Sequence, residues 1–361
     1  MQNDKVQNTE SLERRDFLKT SAKFGAAVSL ASLSGFALSA CDSKEDLKTD
    51  STQNLQSTEK AGKSQIQNHL QGDTMEFITL NNGVKMPILG YGVYQIEPKE
   101  TQRCVEDAIS VGYRSIDTAQ AYFNEAEVGA AIKTALQGGL KREELFITTK
   151  LWIDNYPEEK ALKACEESLR KLGLEYVDLM LLHQPYNDTY GAWRALSRFY
   201  KEGRFKAIGV SNFYPDRIAD FCLNNEIKPA VNQIECNPLH AQFEAQKVLQ
   251  EYNVAMESWA PFGEGRNNMF SNPTLSEIGK KYNKSVAQVI LRWQIQRGII
   301  CIPKTIRKER MIENLSVFDF TLSEQDMQTI AGLDSKTSLF FNHQDPENVK
   351  WINEFHKSSF K

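Results

Sequence analysis

The sequence lacks the features that mark several large classes of protein. Its 361 residues include only six cysteines and no C-x-x-C pair, so neither a disulfide framework nor a zinc site is indicated. Basic residues are not in excess, since 43 Lys and Arg stand against 47 Asp and Glu, and we therefore expect no nucleic-acid partner. Apolar residues make up 41% and charged residues 25%, which is ordinary for a globular chain and excludes a polytopic membrane protein.

The N-terminal segment has the composition of an export signal. Arg14 and Arg15 are followed by Phe-Leu-Lys, a pattern that resembles the twin-arginine signal. A run of small and apolar residues from Phe24 to Ala40 follows, short for a helix that spans a membrane. The sequence Leu-Ser-Ala before Cys41 resembles a bacterial lipobox, whose cysteine is lipidated. We therefore expect residues 1–40 to be a signal peptide that the twin-arginine export machinery reads.

The expected location follows from this segment. Lipidation of Cys41 predicts a protein anchored to the periplasmic or outer face of the cytoplasmic membrane, with a cytoplasmic pool if export is inefficient. Residues 41–73 contain no aromatic residue and are mostly polar, which predicts a disordered tether before a folded domain over residues 74–361. The alternatives are a chance arginine pair before a core helix, and an ordinary cleavage site with an incidental cysteine.

The rest of the chain alternates short apolar runs with amphipathic segments of helical period. Two apolar runs flank Asn81-Asn82-Gly83 and predict an N-terminal β-hairpin, Phe77 to Leu80 with Val84 to Met86. Eight buried strands are predicted after it: Ile88–Leu89, Ser115–Ile116, Phe146–Thr149, Val177–Leu182, Ala207–Val210, Ala230–Ile234, Ala255–Ser258 and Ile299–Ile302. The intervening segments have helical patterns, for example Glu158–Leu172 and Val286–Gln296.

Eight strand–helix units in about 250 residues are typical of one α/β domain, a (β/α)8 TIM barrel. The alternative is a doubly wound parallel sheet, which would carry a Gly-x-Gly-x-x-Gly turn after its first strand. The segment from Gly90 to Gln95 reads Gly-Tyr-Gly-Val-Tyr-Gln and lacks the third glycine. The sequence therefore favours the barrel.

Three polar residues of different chemistry stand at predicted strand ends. Asp117 follows the second barrel strand, Lys150 ends the third and His183 ends the fourth, at an even spacing of 33 residues. Because the carboxyl ends of barrel strands share one open end, these side chains are predicted to lie together. Tyr122 comes five residues after Asp117, on the loop that leaves the same strand, and is expected to join them.

This set of residues predicts carbonyl chemistry. The hydroxyl of a tyrosine has an unperturbed pKa of about 10, so we expect the Lys150 ammonium to lower the pKa of Tyr122. Asp117 is the counter-ion that a buried lysine needs, and His183 is a directional donor for a substrate oxygen. A proton donor beside a polarising donor suits carbonyl reduction. Since no side chain gives hydride, a nicotinamide cofactor must supply it.

Longer motifs resemble the aldo-keto reductase superfamily, from about Phe77 to the C-terminus. The segments that carry the resemblance are GYRSIDTAQAYFNEAEVG (Gly112 to Gly129), TKLW (Thr149 to Trp152), DLMLLHQP (Asp178 to Pro185), IGVSNF (Ile208 to Phe213), NQIECNP (Asn232 to Pro238) and IPKTIRKERMIEN (Ile302 to Asn314). Two further segments resemble bacterial 2,5-diketo-gluconate reductase-like enzymes, ESWAPFGEG (Glu257 to Gly265) and FDFTLSEQDM (Phe318 to Met327).

The resemblance implies an NADPH-dependent reduction of a small-molecule carbonyl to an alcohol. It makes Tyr122 the proton donor, tuned by Lys150 and Asp117, with His183 orienting the carbonyl. It assigns the rest of the cofactor site to three groups: Ser211, Asn212 and Gln233 at the nicotinamide carboxamide, Trp259 stacked on the nicotinamide ring, and Lys304, Thr305, Arg307, Arg310, Glu313 and Asn314 at the adenosine 2′-phosphate and adenine. Lys and Arg suit a doubly charged phosphate monoester, which favours NADPH over NADH.

The resemblance also describes the substrate pocket. Tyr94 and Trp152 match substrate-facing positions beside His183, and a C-terminal segment with Phe340, Phe341 and His343 is expected to cover the pocket. Gln184 departs from the tryptophan that many family members have, which leaves the identity of the substrate open. No metal is expected, because His183 alone of the five histidines stands at a predicted strand end. Similar bacterial reductases are usually monomers, and we expect a monomer here.

Other interpretations remain open. Taken singly, Asp117 could cap a helix, Lys150 could be a solvated loop residue, and His183 could be a buried histidine with satisfied hydrogen bonds. Tyr122 and Trp259 could serve packing, and the Lys and Arg residues after the eighth strand could be the solvated start of a helix. A chain with this fold could also be a cofactor-bound sensor or interaction subunit, like the β subunits of potassium channels, which would bind NADPH without turnover. A third interpretation is a metal-dependent phosphate-ester hydrolase on a barrel, which would need clusters of carboxylates or histidines at the strand ends.

Overall fold

The computed structural model describes residues 75–359 of the chain. The predicted signal peptide, Cys41 and the predicted tether lie outside the described residues. Within 75–359, no helix combines the length and the apolar character that crossing a bilayer requires.

A parallel sheet of eight strands is the centre of the fold. Its strands lie side by side in the order of the chain. They are β3 (Tyr91–Gly92), β4 (Ser115–Asp117), β5 (Phe146–Leu151), β6 (Val177–Leu182), β7 (Phe205–Ser211), β8 (Val231–Glu235), β9 (Ala255–Trp259) and β10 (Ile300–Cys301). A parallel bridge between Leu89 and Cys301 joins the last strand to the segment before the first. The predicted (β/α)8 fold is confirmed, and the consecutive order excludes a doubly wound sheet.

Amphipathic helices connect the strands and cover the outside of the sheet. They are α1 (Pro98–Val111), α2 (Glu125–Gln137), α3 (Glu158–Leu172), α4 (Thr189–Lys201), α5 (Pro215–Leu223), α6 (Phe243–Glu251), α7 (Pro273–Tyr282), α8 (Val286–Gln296), α9 (Lys308–Leu315), α10 (Glu324–Ala331) and α11 (Pro346–Ser359). The two helices with explicitly predicted bounds, α3 and α8, match those bounds. Helix α3 ends at Gly173, whose φ of 65° is the left-handed conformation that glycine adopts without strain.

The predicted hairpin closes one end of the barrel. Its strands are β1 (Phe77–Thr79) and β2 (Lys85–Pro87), paired antiparallel. Leu80 and Met86 are buried with apolar residues from the beginnings of the barrel strands, such as Phe146. The amide of Asn81 also donates to the carbonyl of Pro229, just before β8, at 2.8 Å. Since this end is filled by apolar side chains, the opposite, carboxyl end is left for polar chemistry.

Strand β6 has its predicted bounds, whereas every other strand differs from its prediction by one to three residues at an end. Two of these differences bear on the polar end of the barrel. The first barrel strand was predicted at Ile88–Leu89 but forms at Tyr91–Gly92. The backbone N–H groups of Gly90 and Gly92 donate to the carbonyls of Cys301 and Pro303, so the pairing that closes the barrel reaches past the apolar dipeptide. Strand β5 continues to Leu151 beyond its predicted end at Thr149, because Lys150 and Leu151 stay paired with β6. A prediction from apolar runs ends the strand too early here, because a lysine seldom occupies a buried strand position.

Candidate active site

The ammonium group of Lys150 is the centre of the polar cluster at the open end. Its Nζ lies 2.5 Å from Asp117 Oδ1, 3.0 Å from the carbonyl oxygen of Thr118 and 3.2 Å from the hydroxyl of Tyr122. The side chain of Lys150 is fully buried and that of Asp117 nearly so. All three N–H donors of the ammonium are therefore used, one of them on the predicted proton donor.

Local backbone geometry places Tyr122. A single turn of 3₁₀-helix over Gln120–Tyr122 follows β4 and ends at Phe123, which is left-handed with φ 55°. The side chain of Asn124 fixes this turn from below, because its Nδ2 donates to the carbonyl of Val93 at 3.1 Å and its Oδ1 accepts from Thr118 Oγ1 at 2.8 Å. The turn after β4 thus brings the side chain of Tyr122 back towards the Lys150 ammonium.

Aromatic rings surround the Tyr122 phenol. The ring of Tyr94 lies 4.9 Å from it, and the ring of His183 lies 5.6 Å from it nearly edge-on. Trp152 contacts the His183 ring at 5.0 Å, again edge-on. The backbone N–H of His183 donates to the carbonyl of Leu151 at 3.0 Å, so the histidine continues the pairing of β6 with β5. The structure therefore brings together the four predicted catalytic residues and the two predicted substrate-facing aromatics.

The pKa of Tyr122 differs from the sequence-based expectation. Burial is the largest cause, followed by the negative charge of Asp117, and together they raise the pKa of Tyr122 well above its usual range. The net shift is opposite to the expected lowering, because the Lys150 ammonium does not offset the effects of burial and of Asp117. The physical reason is that Asp117 lies closer to the ammonium than the phenol does, so the phenol experiences the field of an ion pair instead of a free cation.

The predicted nicotinamide residues form a second polar group next to the first. Ser211 Oγ donates to the carbonyl of Gln233 at 2.8 Å, and Asn212 Nδ2 donates to the carbonyl of His183 at 3.0 Å. Trp259 Nε1 donates to Asn212 Oδ1 at 2.9 Å, which ties the aromatic ring to the amide. A hydroxyl, two amides and an indole face at one place fit a planar ring that carries a carboxamide.

The predicted phosphate residues lie after β10, where α9 begins. Lys304, Arg307 and Arg310 are exposed, and none of them forms a salt bridge with a residue of the described range. Thr305 is buried, with its carbonyl accepting a hydrogen bond from the Tyr91 hydroxyl at 2.5 Å. Three cations without carboxylate partners, at the N-terminus of a helix, fit a phosphate monoester. Glu313 and Asn314 lie further along α9, and Asn314 is buried.

A C-terminal segment crosses the open end, as predicted. The ring of Phe340 lies 5.1 Å from the ring of Trp259, and His343 packs on Phe341 at 4.5 Å. Tyr186 donates from its hydroxyl to the carbonyl of His343 at 2.6 Å. Burial lowers the pKa of His343 to about 3, so its imidazole is neutral at physiological pH.

Two carboxyl groups of this region were not assigned by sequence reasoning. Glu235, the last residue of β8, accepts hydrogen bonds from Ser338 Oγ at 2.5 Å and from the Leu339 N–H at 2.9 Å. Glu257, in the middle of β9, is fully buried and accepts from Gln233 Nε2 at 2.9 Å. A signal for Glu257 was present, because it precedes the inward-facing Trp259 by two residues and therefore faces the barrel interior as well.

Comparison with known proteins agrees with this geometry. A model of the aldo/keto reductase family matches residues 88–335. The uncharacterized oxidoreductase YtbE of Bacillus subtilis is 47% identical over 283 residues, which cover 78% of this chain and 98% of that protein. The glyoxal reductase of the same organism is 46% identical over 71% of this chain and 92% of its own. A Bombyx mori aldo-keto reductase solved in complex with NADP superposes with a TM-score of 0.72 at 34% identity, covering 77% of this chain and 97% of that one.

The chain belongs to the aldo/keto reductase family. The predicted family is thereby confirmed, and with it the prediction that the protein is an oxidoreductase. The match begins at residue 88 and so leaves the N-terminal predictions untouched.

Proposed function

We propose that this reductase converts small aldehydes or ketones to alcohols, with Tyr122 as the proton donor. The enzyme is NADP-dependent. The observation that carries the proposal is the contact of 3.2 Å between Lys150 Nζ and the Tyr122 hydroxyl, inside a buried ion pair with Asp117 and beside the His183 ring. Nothing else in the described residues places an ionisable proton donor against a buried cation at the open end of the barrel.

The chain's residues have separate tasks in this proposal. NADPH supplies the hydride, held by Ser211, Asn212, Gln233 and Trp259 at one end and by the cations after β10 at the other. His183 donates a hydrogen bond that holds the substrate oxygen, and Tyr122 gives its proton to that oxygen as negative charge develops. The raised pKa of Tyr122 keeps the phenol protonated until an alkoxide, a much stronger base, forms beside it.

Lys150 stabilises the state that Tyr122 reaches after it has given up its proton. Once the phenol has lost its proton, the ammonium 3.2 Å away stabilises the phenolate, and Asp117 keeps the ammonium in place. Both groups are held by strands, so they need no rearrangement during the reaction, which is the condition for efficient electrostatic stabilisation.

The pocket favours small and polar carbonyl compounds. Gln184, where many relatives have a tryptophan, is buried, and its Oε1 has no hydrogen-bond partner among the described residues. A buried acceptor without a partner favours a substrate that brings a hydroxyl. The similarity to a glyoxal reductase and to the methylglyoxal reductase DkgA of Yersinia pestis points to reactive dicarbonyl compounds.

The test is an assay of NADPH oxidation with methylglyoxal by the wild type and by Tyr122→Phe. We expect kcat to fall by about 10²- to 10⁴-fold in the variant, because proton donation is lost, while the Kd for NADPH, measured by calorimetry, changes little. Tyr252→Phe, at the closed end of the barrel, is the matched control. Wild-type rates for Tyr122→Phe would contradict the role of the phenol. Tight NADPH binding by the wild type without turnover of any carbonyl in a panel would support the sensor interpretation.

We further propose that the protein is exported by the twin-arginine route and lipidated at Cys41. The support is the Arg14-Arg15 pair and the Leu-Ser-Ala-Cys sequence. Since that route moves folded proteins, the cofactor can bind before transport. We expect Arg14→Lys combined with Arg15→Lys to keep the protein in the cytoplasm, and Cys41→Ser to release it from membranes in fractionation experiments. Export of the double variant at the wild-type level would contradict the proposal.

A further inference from the structure

Glu257 is a buried carboxyl group that the proposed mechanism does not use. It lies at the middle of β9 and faces the barrel interior, with none of its surface exposed. One oxygen, Oε2, accepts from Gln233 Nε2 at 2.9 Å. The other, Oε1, has no hydrogen-bond partner among the described residues. An ionised carboxylate in this situation would be costly, and a protonated carboxyl group, which is neutral, costs less.

Gln233 connects Glu257 to the catalytic ion pair. Its Nε2 donates to Glu257 Oε2 and also to Asp117 Oδ2, both at 2.9 Å. An amide nitrogen has two protons, so both are used on carboxyl oxygens. The orientation of the Gln233 amide is therefore fixed. Its nitrogen points towards the two carboxyl groups, and its Oε1 remains available to accept a hydrogen bond from a ligand. A continuous set of hydrogen bonds runs from Glu257 through Gln233 and Asp117 to Lys150 and the phenol of Tyr122.

Charge balance in this cluster depends on Glu257. The titratable and charged groups around it come from other elements: Asp117 on β4, Lys150 on β5, Cys301 on β10 and Tyr122 on the turn after β4. Burial raises the pKa of the Cys301 thiol well above its usual range, so Cys301 adds no charge. Two carboxyl groups thus share one ammonium, and the cluster is neutral only while Glu257 holds its proton.

The electrostatics agree with a retained proton. Burial, followed by the negative charge of Asp117, raises the pKa of Glu257 to about 8, against the smaller opposing effects of Gln233 and Lys150. At neutral pH, Glu257 is therefore mostly protonated. Its ionisation would place a negative charge beneath the site and would raise the pKa of Tyr122 further.

We propose that Glu257 is a positioning residue that fixes the orientation of Gln233 and, by gaining or losing one proton, sets which redox form of the nicotinamide the site prefers. The inference rests on the proposed function, because it uses the nicotinamide assignment of Gln233. The oxidised nicotinamide ring carries a positive charge and the reduced ring carries none. A negative charge on Glu257 therefore attracts NADP⁺ more than NADPH, and protonation of Glu257 favours the reduced form that carbonyl reduction consumes.

The first experiment compares cofactor binding by wild type and Glu257→Gln. The Gln variant keeps the size of the side chain and an acceptor for Gln233 but cannot ionise. For the wild type, calorimetry from about pH 6.5 to 9.5 is expected to show the ratio of Kd for NADPH to Kd for NADP⁺ rising on the order of tenfold. The variant ratio should stay constant. The 2′-phosphate, which titrates near pH 6, is common to both ligands, so its effect cancels in the ratio.

Glu125→Gln is the matched control for burial. Glu125 is also a buried carboxyl group, and burial raises its pKa, but it bonds Thr149 Oγ1 and has no contact with Gln233. We expect this variant to keep the wild-type pH dependence of the binding ratio. If it loses that dependence, the effect belongs to buried carboxyl groups in general and the proposal is wrong.

The second experiment needs no cofactor. An acid whose pKa is about 8 in the folded state and near 4.5 when unfolded penalises the folded state increasingly between those two pH values. The apparent Tm of cofactor-free Glu257→Gln should therefore exceed that of the wild type by an amount that grows from pH 5 to about pH 8 and then levels off. A Tm difference that does not vary with pH would overturn the proposal.

The outcomes separate this inference from the proposed function. If wild-type protein binds neither NADPH nor NADP⁺, the proposed function fails, while the pH-dependent Tm still reports whether Glu257 holds a proton. If both cofactors bind and the wild-type ratio stays constant with pH, the inference fails and the reductase assignment stands. Should Glu257→Gln not fold, Glu257→Asp replaces it, and we expect that shorter acid to move the pH midpoint of the ratio. An unmoved midpoint would contradict a role for residue 257.

Discussion

The interior of the barrel and the segment that crosses its open end are held by different kinds of contact. In the interior, Asp117, Lys150, Gln233 and Glu257 come from four strands, are almost fully buried, and bond one another through their side chains. The crossing segment, residues 338–343, is held largely through main-chain groups, by the bonds of Glu235 to the Leu339 N–H and of Tyr186 to the His343 carbonyl. One side-chain bond, from Ser338 Oγ to Glu235, adds to them.

This difference has a functional meaning. Side-chain to side-chain bonds require particular residues on both sides, so the interior cluster tolerates little change. Main-chain anchors place fewer requirements on the residue types of the crossing segment, although Ser338 and His343 still make side-chain contacts. The proposed chemistry thus lies on rigid strands, whereas we expect the crossing segment to tolerate more substitutions than the interior cluster.

The largest effect is expected from Lys150→Met, which breaks the interior cluster. Asp117 would be left buried without its counter-ion, and loss of one partner of a buried pair costs about 3–5 kcal/mol of unfolding free energy. Activity should fall on the order of 10²- to 10⁴-fold with it, because the phenolate of Tyr122 loses its stabilising cation. Urea unfolding and NADPH oxidation measure the two effects.

Lys280→Met is the control for that experiment. Lys280 pairs with Glu277 at 2.9 Å on the surface, with both side chains mostly exposed, and a pair of this kind contributes about 0–1 kcal/mol. Equal unfolding free energies for the two lysine variants would show that the interior ion pair is not special, and would remove the contrast between the two regions.

A smaller effect is expected from Glu235→Gln, which loosens the crossing segment. The amide keeps one acceptor but cannot accept from both Ser338 Oγ and the Leu339 N–H. An ordinary hydrogen bond contributes about 0.5–1.5 kcal/mol, so we expect KM for the carbonyl substrate to rise about two- to tenfold while kcat changes little. Steady-state kinetics separate the two parameters, with the exposed Glu244→Gln as the control. A fall in kcat with an unchanged KM would place Glu235 in the chemistry instead of in the anchor.

Much of the fold could be predicted from the sequence. Strand and helix periods, with the spacing of Asp117, Lys150 and His183, were sufficient for the barrel and for the gathering of these residues at one end. The errors were local: every strand but β6 was misplaced by one to three residues at an end. Two examples are the first barrel strand, placed before Gly90 instead of after it, and β5, which was ended too early. Both depend on pairing with a distant or polar partner, such as that of Gly90 with Cys301, which apolar runs do not report.

The candidate site was predicted less completely. Its members were named by spacing and resemblance, and the geometry brings them together, but their interactions were not foreseen. The sequence suggested an ammonium that lowers the pKa of Tyr122, whereas burial and the nearby Asp117 raise it. The bonds of Gln233 to Asp117 join residues 116 positions apart across the barrel, and no local pattern indicates them.

The sequence by itself determined the order of strands and helices and the end of the barrel at which the polar residues meet, because side-chain periodicity and strand ends are local properties of the chain. Only the tertiary structure decided which carboxyl group pairs with Lys150, which one keeps an oxygen without a partner in the described part of the chain, and how Gln233 is oriented. Those outcomes depend on distances across the barrel and on exclusion of water, and both arise only when all eight strands are in place.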